Sequence, residues 1–159
     1  MILGLQLFVQ QAVDDPVYFV QVVVTVVVSV TLHELGHAVA AIRQGDETPR
    51  HAGRLTLNPV AHMGVFSLVM LLLVGIAWGS TPVDPSRFRS RYGDALVSLA
   101  GPAVNVVLAL IGLTVFAIWA RWGSAETTTL ANFRNFFLVF GQVNVVLFLL
   151  NMLPIPPLD

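Results

Sequence analysis

The chain has 159 residues, of which 56% are hydrophobic and only 11% are charged. Soluble domains carry about 25% charged residues, so this composition leaves too few polar side chains to cover a water-facing surface and excludes a soluble globular protein. The eight cations are all arginines without a long basic run, the net charge is −1 and cysteine is absent, which excludes a nucleic-acid partner, disulfides and thiolate metal ligands.

The N-terminal segment, residues 1–13, is apolar but too short to cross a bilayer. Gln6, Gln10 and Gln11 recur in it at near-helical spacing. This pattern is typical of an amphipathic helix that lies in the membrane interface. We therefore predict an interfacial segment that ends at Asp14-Asp15-Pro16.

Three long stretches with few charges predict membrane helices, because a span needs about 20 apolar residues. The first covers residues 17–43, where Glu34 is the one interruption before Arg43, and the second covers residues 92–121, with Pro102 inside it. The third covers residues 130–150. The sequence thus predicts an all-α, multi-pass membrane protein with a three-helix core in a single domain over residues 1–159.

A fourth apolar stretch, residues 63–79, is near the lower length limit for a span. If it crossed the membrane, five arginines would face three; if it dips in and returns, six arginines face two. The second arrangement has the stronger positive-inside bias, so we favour a re-entrant segment and place the central loops in the cytoplasm. The six arginines are Arg43, Arg50, Arg54, Arg87, Arg89 and Arg91.

The first predicted helix contains His33-Glu34-Leu35-Gly36-His37. Helix positions i and i+4 share one face, so His33 and His37 can bind the same zinc ion. Glu34 is rotated by about 100° from His33, which places its carboxylate beside the metal, where it can accept a proton from water. The alternative is that the three side chains only satisfy one another as packing polar groups.

A zinc site of this kind needs a third protein ligand, and Asp94 and Asp159 are the other acids in or beside the apolar segments. Asp94 is at the charged start of its helix, whereas Asp159 follows prolines that force extended backbone. We therefore predict Asp159 as the third ligand. Zn²⁺ with ionised Glu34 and Asp159 carries no net charge, which suits a site inside a bilayer.

Residues 54–58 alternate polar and apolar side chains, as an edge strand does. A substrate unwound at the site could pair with such an edge, so we predict substrate contacts at Arg54, Thr56 and Asn58. An ordinary loop is the alternative.

Together these residues resemble the site-2 protease family of intramembrane zinc metalloproteases, in particular its compact members without a PDZ domain. The resemblance covers nearly the whole chain, and it implies that His33, His37 and Asp159 bind zinc and that Glu34 is the general base. It also implies that Asn151 binds the oxyanion or the substrate backbone, although Asn151 could instead cap the carbonyls freed by the prolines. The matching motifs are His33 to His37, Gly53 to Pro59 with His62, Ala100 to Asn105, and Asn151 to Asp159.

The expected function is hydrolysis of peptide bonds in or near transmembrane helices of membrane-protein substrates, with one zinc ion per chain. The expected location is a prokaryotic cell membrane, with the site nearer the cytoplasm. The alternatives are a membrane transporter for divalent metal or protons and an inactive relative that binds membrane helices. The family motif continues beyond Asp159, so we expect a fragment, and the sequence carries no signal for oligomeric state.

Overall fold

The computed structural model describes residues 8–123 and 127–153, and within them the chain is helical and has no strand. Short 3₁₀ helices occur at Phe8–Gln10 and Pro85–Arg87. The α-helices are α1 (Gln11–Asp14), α2 (Pro16–Arg43), α3 (Thr48–His51), α4 (Pro59–Val74), α5 (Gly93–Trp122) and α6 (Thr128–Asn151).

Helices α2, α5 and α6 are each long and apolar enough to cross a membrane. Their bounds agree closely with the three helices predicted from the sequence. Helix α2 begins sharply because the Asp15 side chain accepts a hydrogen bond from Tyr18 N and Pro16 fits the first turn. This part of the prediction is confirmed: the protein is an all-α integral membrane protein.

The three long helices pack against one another in alternating directions. Gly36 of α2 lies against Ala100 and Val104 of α5, and Gly112 of α5 lies against Gly141 of α6. Gln21, near the start of α2, donates to the carbonyl of Asn132, near the start of α6, at 2.9 Å. Helix α5 is therefore antiparallel to both neighbours, and the C-terminal end of α2 lies at the same side as the N-terminal end of α5.

Because α2 ends and α5 starts at the same side of the bundle, residues 63–79 between them must return to the side from which they leave. Gly75 ends α4 in the left-handed conformation, with φ of 82°, and the chain then returns along the helix it has just left. Ser67 Oγ accepts from Trp78 N at 2.9 Å, and Ser80 N donates to His62 O at 3.1 Å. The two ends of the segment lie together, as the re-entrant interpretation predicts.

Residues 63–79 thus form a hairpin of α4 and the returning segment, and its tip at Gly75 lies beside Phe8. Phe8 packs on Phe19, with ring centroids 5.0 Å apart, and also faces Gly75. Val30 of α2 packs with Met63 and Leu71 of α4 in a buried apolar cluster. Residues 1–7 lie outside the described part of the chain, so the interfacial role of residues 1–13 stays a prediction.

Asp46 joins the two ends of the linker between α2 and α5. It is fully buried, and its carboxylate accepts from Thr48 N at 2.9 Å and from Asp84 N at 2.7 Å. Burial alone would raise the pKa of Asp46, but the hydrogen bonds from Thr48 and Asp84 outweigh it and lower that pKa. Asp46 thus fixes the segment before α5 against the end of α2.

The predicted edge strand at residues 54–58 is wrong: the segment is an irregular loop. Two of its backbone groups form local hydrogen bonds to side chains. Asn58 N donates to Thr56 Oγ1 at 3.2 Å, and Thr56 O accepts from His62 Nε2 at 2.8 Å. The alternative that the sequence left open, a loop, is what the structure has.

Single cysteines test the topology in a chain that has no native cysteine. His51→Cys and Ser86→Cys, both at exposed positions, should react with a membrane-impermeant thiol reagent from the same side of the membrane. Thr129→Cys, at the start of α6, should react from the other side. Labelling of positions 51 and 86 from opposite sides would show that α4 spans the bilayer.

Replacing Asp46 with Ala leaves two backbone N–H groups without their acceptor, so we expect the free energy of unfolding to fall by about 1–3 kcal/mol. Because the folded-state pKa is lowered, the carboxylate stabilises the fold above the unfolded pKa, about pH 4, and this contribution disappears as pH falls through the lowered value. The thermal midpoint of the variant and of the wild type should therefore converge in acid.

The matched control is Glu47→Ala, which removes a partly exposed acid whose partner is Arg50 at 2.8 Å. Exposed ion pairs of this kind contribute little to the free energy of unfolding, about 0.5 kcal/mol. An Asp46→Ala effect equal to that of the control, or unchanged in acid, would show that Asp46 does not hold the linker.

Candidate metal centre and active site

His33 and His37 point their imidazoles at one another from successive turns of α2. Their Nε2 atoms are 3.0 Å apart, and only 5% and 7% of the two residues are exposed. The spacing of four residues brings both side chains to one face, as the sequence predicted. The two nitrogens that could bind a metal therefore converge on one point.

The second nitrogen of each imidazole is bonded to an oxygen of α5. His33 Nδ1 lies 2.5 Å from Asn105 Oδ1, and His37 Nδ1 lies 2.7 Å from the carbonyl oxygen of Val97. A carbonyl oxygen can only accept, so each Nδ1 carries the proton and donates it. In the neutral rings the lone pairs are then on the Nε2 atoms, which is the tautomer that binds a metal through Nε2.

Two glycines allow α5 to approach α2 and its two histidines closely. A Cβ at Gly36 would lie 2.9 Å from Val104 Cγ2 and 3.1 Å from Ala100 O, and a Cβ at Gly101 would lie 2.5 Å from His33 Nε2 and overlap His37 Nε2. The space in front of the two nitrogens is thus kept open by the missing side chain at Gly101.

These features fit a zinc ion. Two imidazole ligands of tetrahedral zinc lie about 3.3 Å apart, given Zn–N bonds of about 2.0–2.1 Å, and the observed 3.0 Å is close to that. The described residues contain no cluster of three metal-ligating side chains, and the predicted third ligand, Asp159, lies outside them. The described part of the chain therefore shows two of the three expected ligands.

Glu34 is 5% exposed and is held by the segment that returns from the hairpin. Thr81 Oγ1 lies 2.7 Å from Glu34 Oε2 and 3.1 Å from Glu34 O, and Glu34 Oε1 would lie 2.5 Å from a Cβ at Gly79. Sequence reasoning assigned no role to Thr81. Nothing in a loop sequence shows which helix residue the loop will face, so this contact required the structure.

Two cavities meet at Glu34. One, of about 150 Å³, is lined by His33, Asn105 and Asn151 together with apolar residues. The other, of about 250 Å³, is lined by His37, Thr81 and Ser98 among others. Asn151, at the end of α6, donates to Leu147 O at 2.9 Å. The structure thus brings Asn151 to the cavity of His33 and Glu34.

The predicted substrate contacts Arg54, Thr56 and Asn58 form hydrogen bonds within the loop or with the first turn of α4. Arg54 donates to Ala61 O, and Asn58 accepts from Val60 N as the N-cap of α4. Among the described residues that line the two cavities at Glu34, these three do not appear. Their role in substrate binding stays a prediction.

Comparison with known proteins places this site in context. The model of peptidase family M50 matches residues 21–121. A protein named "Putative zinc metalloprotease YwhC" from Bacillus subtilis is 41% identical over 140 residues, which are 86% of this chain and 64% of YwhC. No solved structure matches.

Two further relatives are named "Putative zinc metalloprotease Rip2". The protein from Mycolicibacterium smegmatis is 37% identical over 150 residues, and the one from Mycobacterium tuberculosis is 34% identical over 147 residues. Each match covers 89% of this chain and 54% of the relative. The chain thus spans between half and two thirds of the length of these relatives.

Gly101→Ala should displace the imidazoles and weaken zinc binding by about tenfold or more. Substitutions next to metal ligands typically lower metal affinity by about 10–100-fold. The measurement is the zinc dissociation constant of the purified protein by chelator competition. Ala103→Val, which adds bulk to an exposed position of the same helix, is the control. Wild-type zinc affinity in Gly101→Ala would contradict the proposed position of the metal.

Proposed function

Because this chain belongs to peptidase family M50, the site-2 protease family, we propose that it hydrolyses peptide bonds of membrane proteins within or next to the bilayer. The observation that carries the proposal is the convergence of two imidazole Nε2 atoms, 3.0 Å apart, beside a buried glutamate inside a bundle of apolar helices. Ionisable groups are expensive at such depth and mark functional sites.

His33, His37 and Asp159 would hold one zinc ion per chain. When bound, zinc supplies a Lewis acid for the scissile carbonyl and lowers the pKa of water to near 7. The printed names of the relatives, putative zinc metalloproteases, support this metal, as does a donor set of two imidazoles and a carboxylate.

Glu34 is the general base and then the general acid. Its Oε2 accepts from Thr81, which holds the carboxylate at the junction of the two cavities. From there it takes a proton from the attacking water and passes it to the amine that leaves when the peptide bond breaks. Proton transfer by a positioned group contributes about 10²–10⁴ in rate.

Asn151 would bind the developing oxyanion or the substrate backbone. Its amide nitrogen has two hydrogens, and the donation to Leu147 O uses one of them. The other can reach a substrate oxygen in the cavity that Asn151 shares with His33 and Glu34. Removing one donor of this kind costs about 10²–10³ in kcat.

The substrate is a membrane protein whose transmembrane helix unwinds at the site. In a helix the backbone carbonyls are used in hydrogen bonds and covered by side chains, so we expect the peptide to be extended where it reaches the cavity of His33 and Glu34. Arg54, Thr56 and Asn58 remain candidates for contacts outside this cavity.

The site is nearer the cytoplasmic face of a prokaryotic cell membrane. Six of the eight arginines belong to the end where α2 stops and α5 starts, whereas Arg121 and Arg134 belong to the other end. By the positive-inside rule the first end is cytoplasmic. His33 is ten residues from Arg43, the last residue of α2, or about 15 Å along the helix.

Glu34→Gln keeps the shape of the side chain but removes the base, so it should retain zinc and lower cleavage by about 10²–10⁴. The assay is the full chain reconstituted in liposomes with zinc and a panel of single-span substrates, with cleavage products measured by mass. The matched control is Glu47→Gln, the same change at a partly exposed residue of the linker. Undiminished cleavage by Glu34→Gln would refute the mechanism, and zinc flux without cleavage would identify a transporter.

A further inference from the structure

Asn105 does not only contact His33; it is the middle of a chain of hydrogen bonds across all three long helices. Asn105 Nδ2 donates to Asn144 Oδ1 of α6 at 2.9 Å. Asn144 Nδ2 donates in turn to Ser29 Oγ of α2 at 2.9 Å and to Phe140 O of α6 at 2.8 Å. Asn105 and Asn144 are both fully buried.

We propose that Asn144, acting through Asn105, is a positioning residue that fixes the tautomer of His33 and thereby sets the affinity of the site for zinc. The inference rests on the metal site proposed above and concerns residues of α5 and α6 to which sequence reasoning gave no role.

The donor and the acceptor of each hydrogen bond in this series follow from its last partner, the carbonyl oxygen of Phe140. Phe140 O is a carbonyl and can only accept, so the nitrogen of the Asn144 amide must face it. The Asn144 oxygen then faces Asn105 and can only accept from the Asn105 nitrogen. This leaves the Asn105 oxygen toward His33, so His33 Nδ1 must donate.

The two histidines differ in what determines which ring nitrogen carries the proton. His37 Nδ1 donates to Val97 O, a backbone acceptor whose chemistry no substitution changes. His33 Nδ1 faces a side-chain amide, which would donate instead of accept if it rotated by 180°. The tautomer of His33 therefore depends on Asn144, whereas that of His37 is fixed by the backbone.

Loss of the Asn144 oxygen would remove this control. Asn105 could then rotate and donate to His33 Nδ1, which would shift the imidazole proton to Nε2 and block the lone pair that zinc needs. Outer hydrogen-bond partners of metal ligands contribute about 10–100-fold to metal affinity, and we expect this range for the pair.

The test is the zinc dissociation constant of the purified full chain, measured by chelator competition on protein stripped of metal. Asn105→Leu and Asn144→Leu, which keep the branching of the side chain but remove its hydrogen bonds, should each weaken zinc binding by about 10–100-fold. Asn105→Asp keeps an acceptor for His33 Nδ1 and should retain tight binding. Asn135→Ala, at an exposed position of α6, is the control.

A double-mutant cycle separates positioning from a general loss of packing. If Asn144 acts through Asn105, Asn144→Leu should weaken zinc binding no further in the Asn105→Leu background. The d–d absorption spectrum of the cobalt form should change alike in both single variants and be restored in Asn105→Asp. Should Asn144→Leu fail to fold, by thermal midpoint of the metal-free protein, Asn144→Ala takes its place.

Additive losses, an unchanged dissociation constant in the Asn144 variant, or equal losses in Asn105→Asp and Asn105→Leu would each overturn this inference while leaving the proposed function intact. A wild-type chain that takes up no zinc would overturn both. Non-additive losses with rescue by Asn105→Asp would establish the positioning role.

Discussion

Gly36 and Gly101 bring α2 and α5 so close that no Cβ fits between them, and the other contacts of the site depend on this distance. Only at such a separation can Val97 O and the Asn105 side chain reach the Nδ1 atoms of the two histidines. Close approach of small residues is the usual way in which apolar helices gain packing energy where no hydrophobic force drives them together. Here the same approach also supplies the acceptors that orient the imidazoles of His33 and His37.

A bundle without water must bond its polar groups internally, because an unsatisfied group in hydrocarbon costs several kcal/mol. The hairpin of α4 meets this demand with irregular backbone. Ser67 Oγ bonds both the N–H and the carbonyl of Trp78, and Thr81 bonds Glu34. Irregular backbone is tolerated at membrane depth where it lines a cavity, and residues 77–79 line the cavity that Glu34 also lines.

Much of this architecture could be predicted from the sequence. Gaps between charges predict α2, α5 and α6, the arginine count favours the returning hairpin, and the i, i+4 spacing brings His33 and His37 together. These signals come from local spacing or from composition, so they can be recognised in a single sequence. The proposals of zinc chemistry and of Glu34 as the general base come from the same five residues together with the family resemblance.

The remaining parts depend on which segments meet. Asn105 had a polar side chain to satisfy, but its partners Asn144 and His33 are 39 and 72 positions away in the chain, and no pattern links them. The alternation at residues 54–58 fitted a strand, yet it could not show that Thr56 and Asn58 would use their hydrogen bonds within the loop. Local sequence pattern does not reveal how distant hydrogen-bonding groups are paired.

The bond between Ser29 and Asn144 joins positions separated by 115 residues, and this has a consequence for biosynthesis. As the chain emerges from the ribosome, α2 enters the bilayer with its histidines and glutamate before α5 exists to bond them. The acceptors from α5 arrive next, and the amide that orders them arrives only with α6. The hydrogen bonds around the two histidines are therefore completed last, so the proposed zinc site cannot be ordered in a nascent chain until its third long helix is inserted.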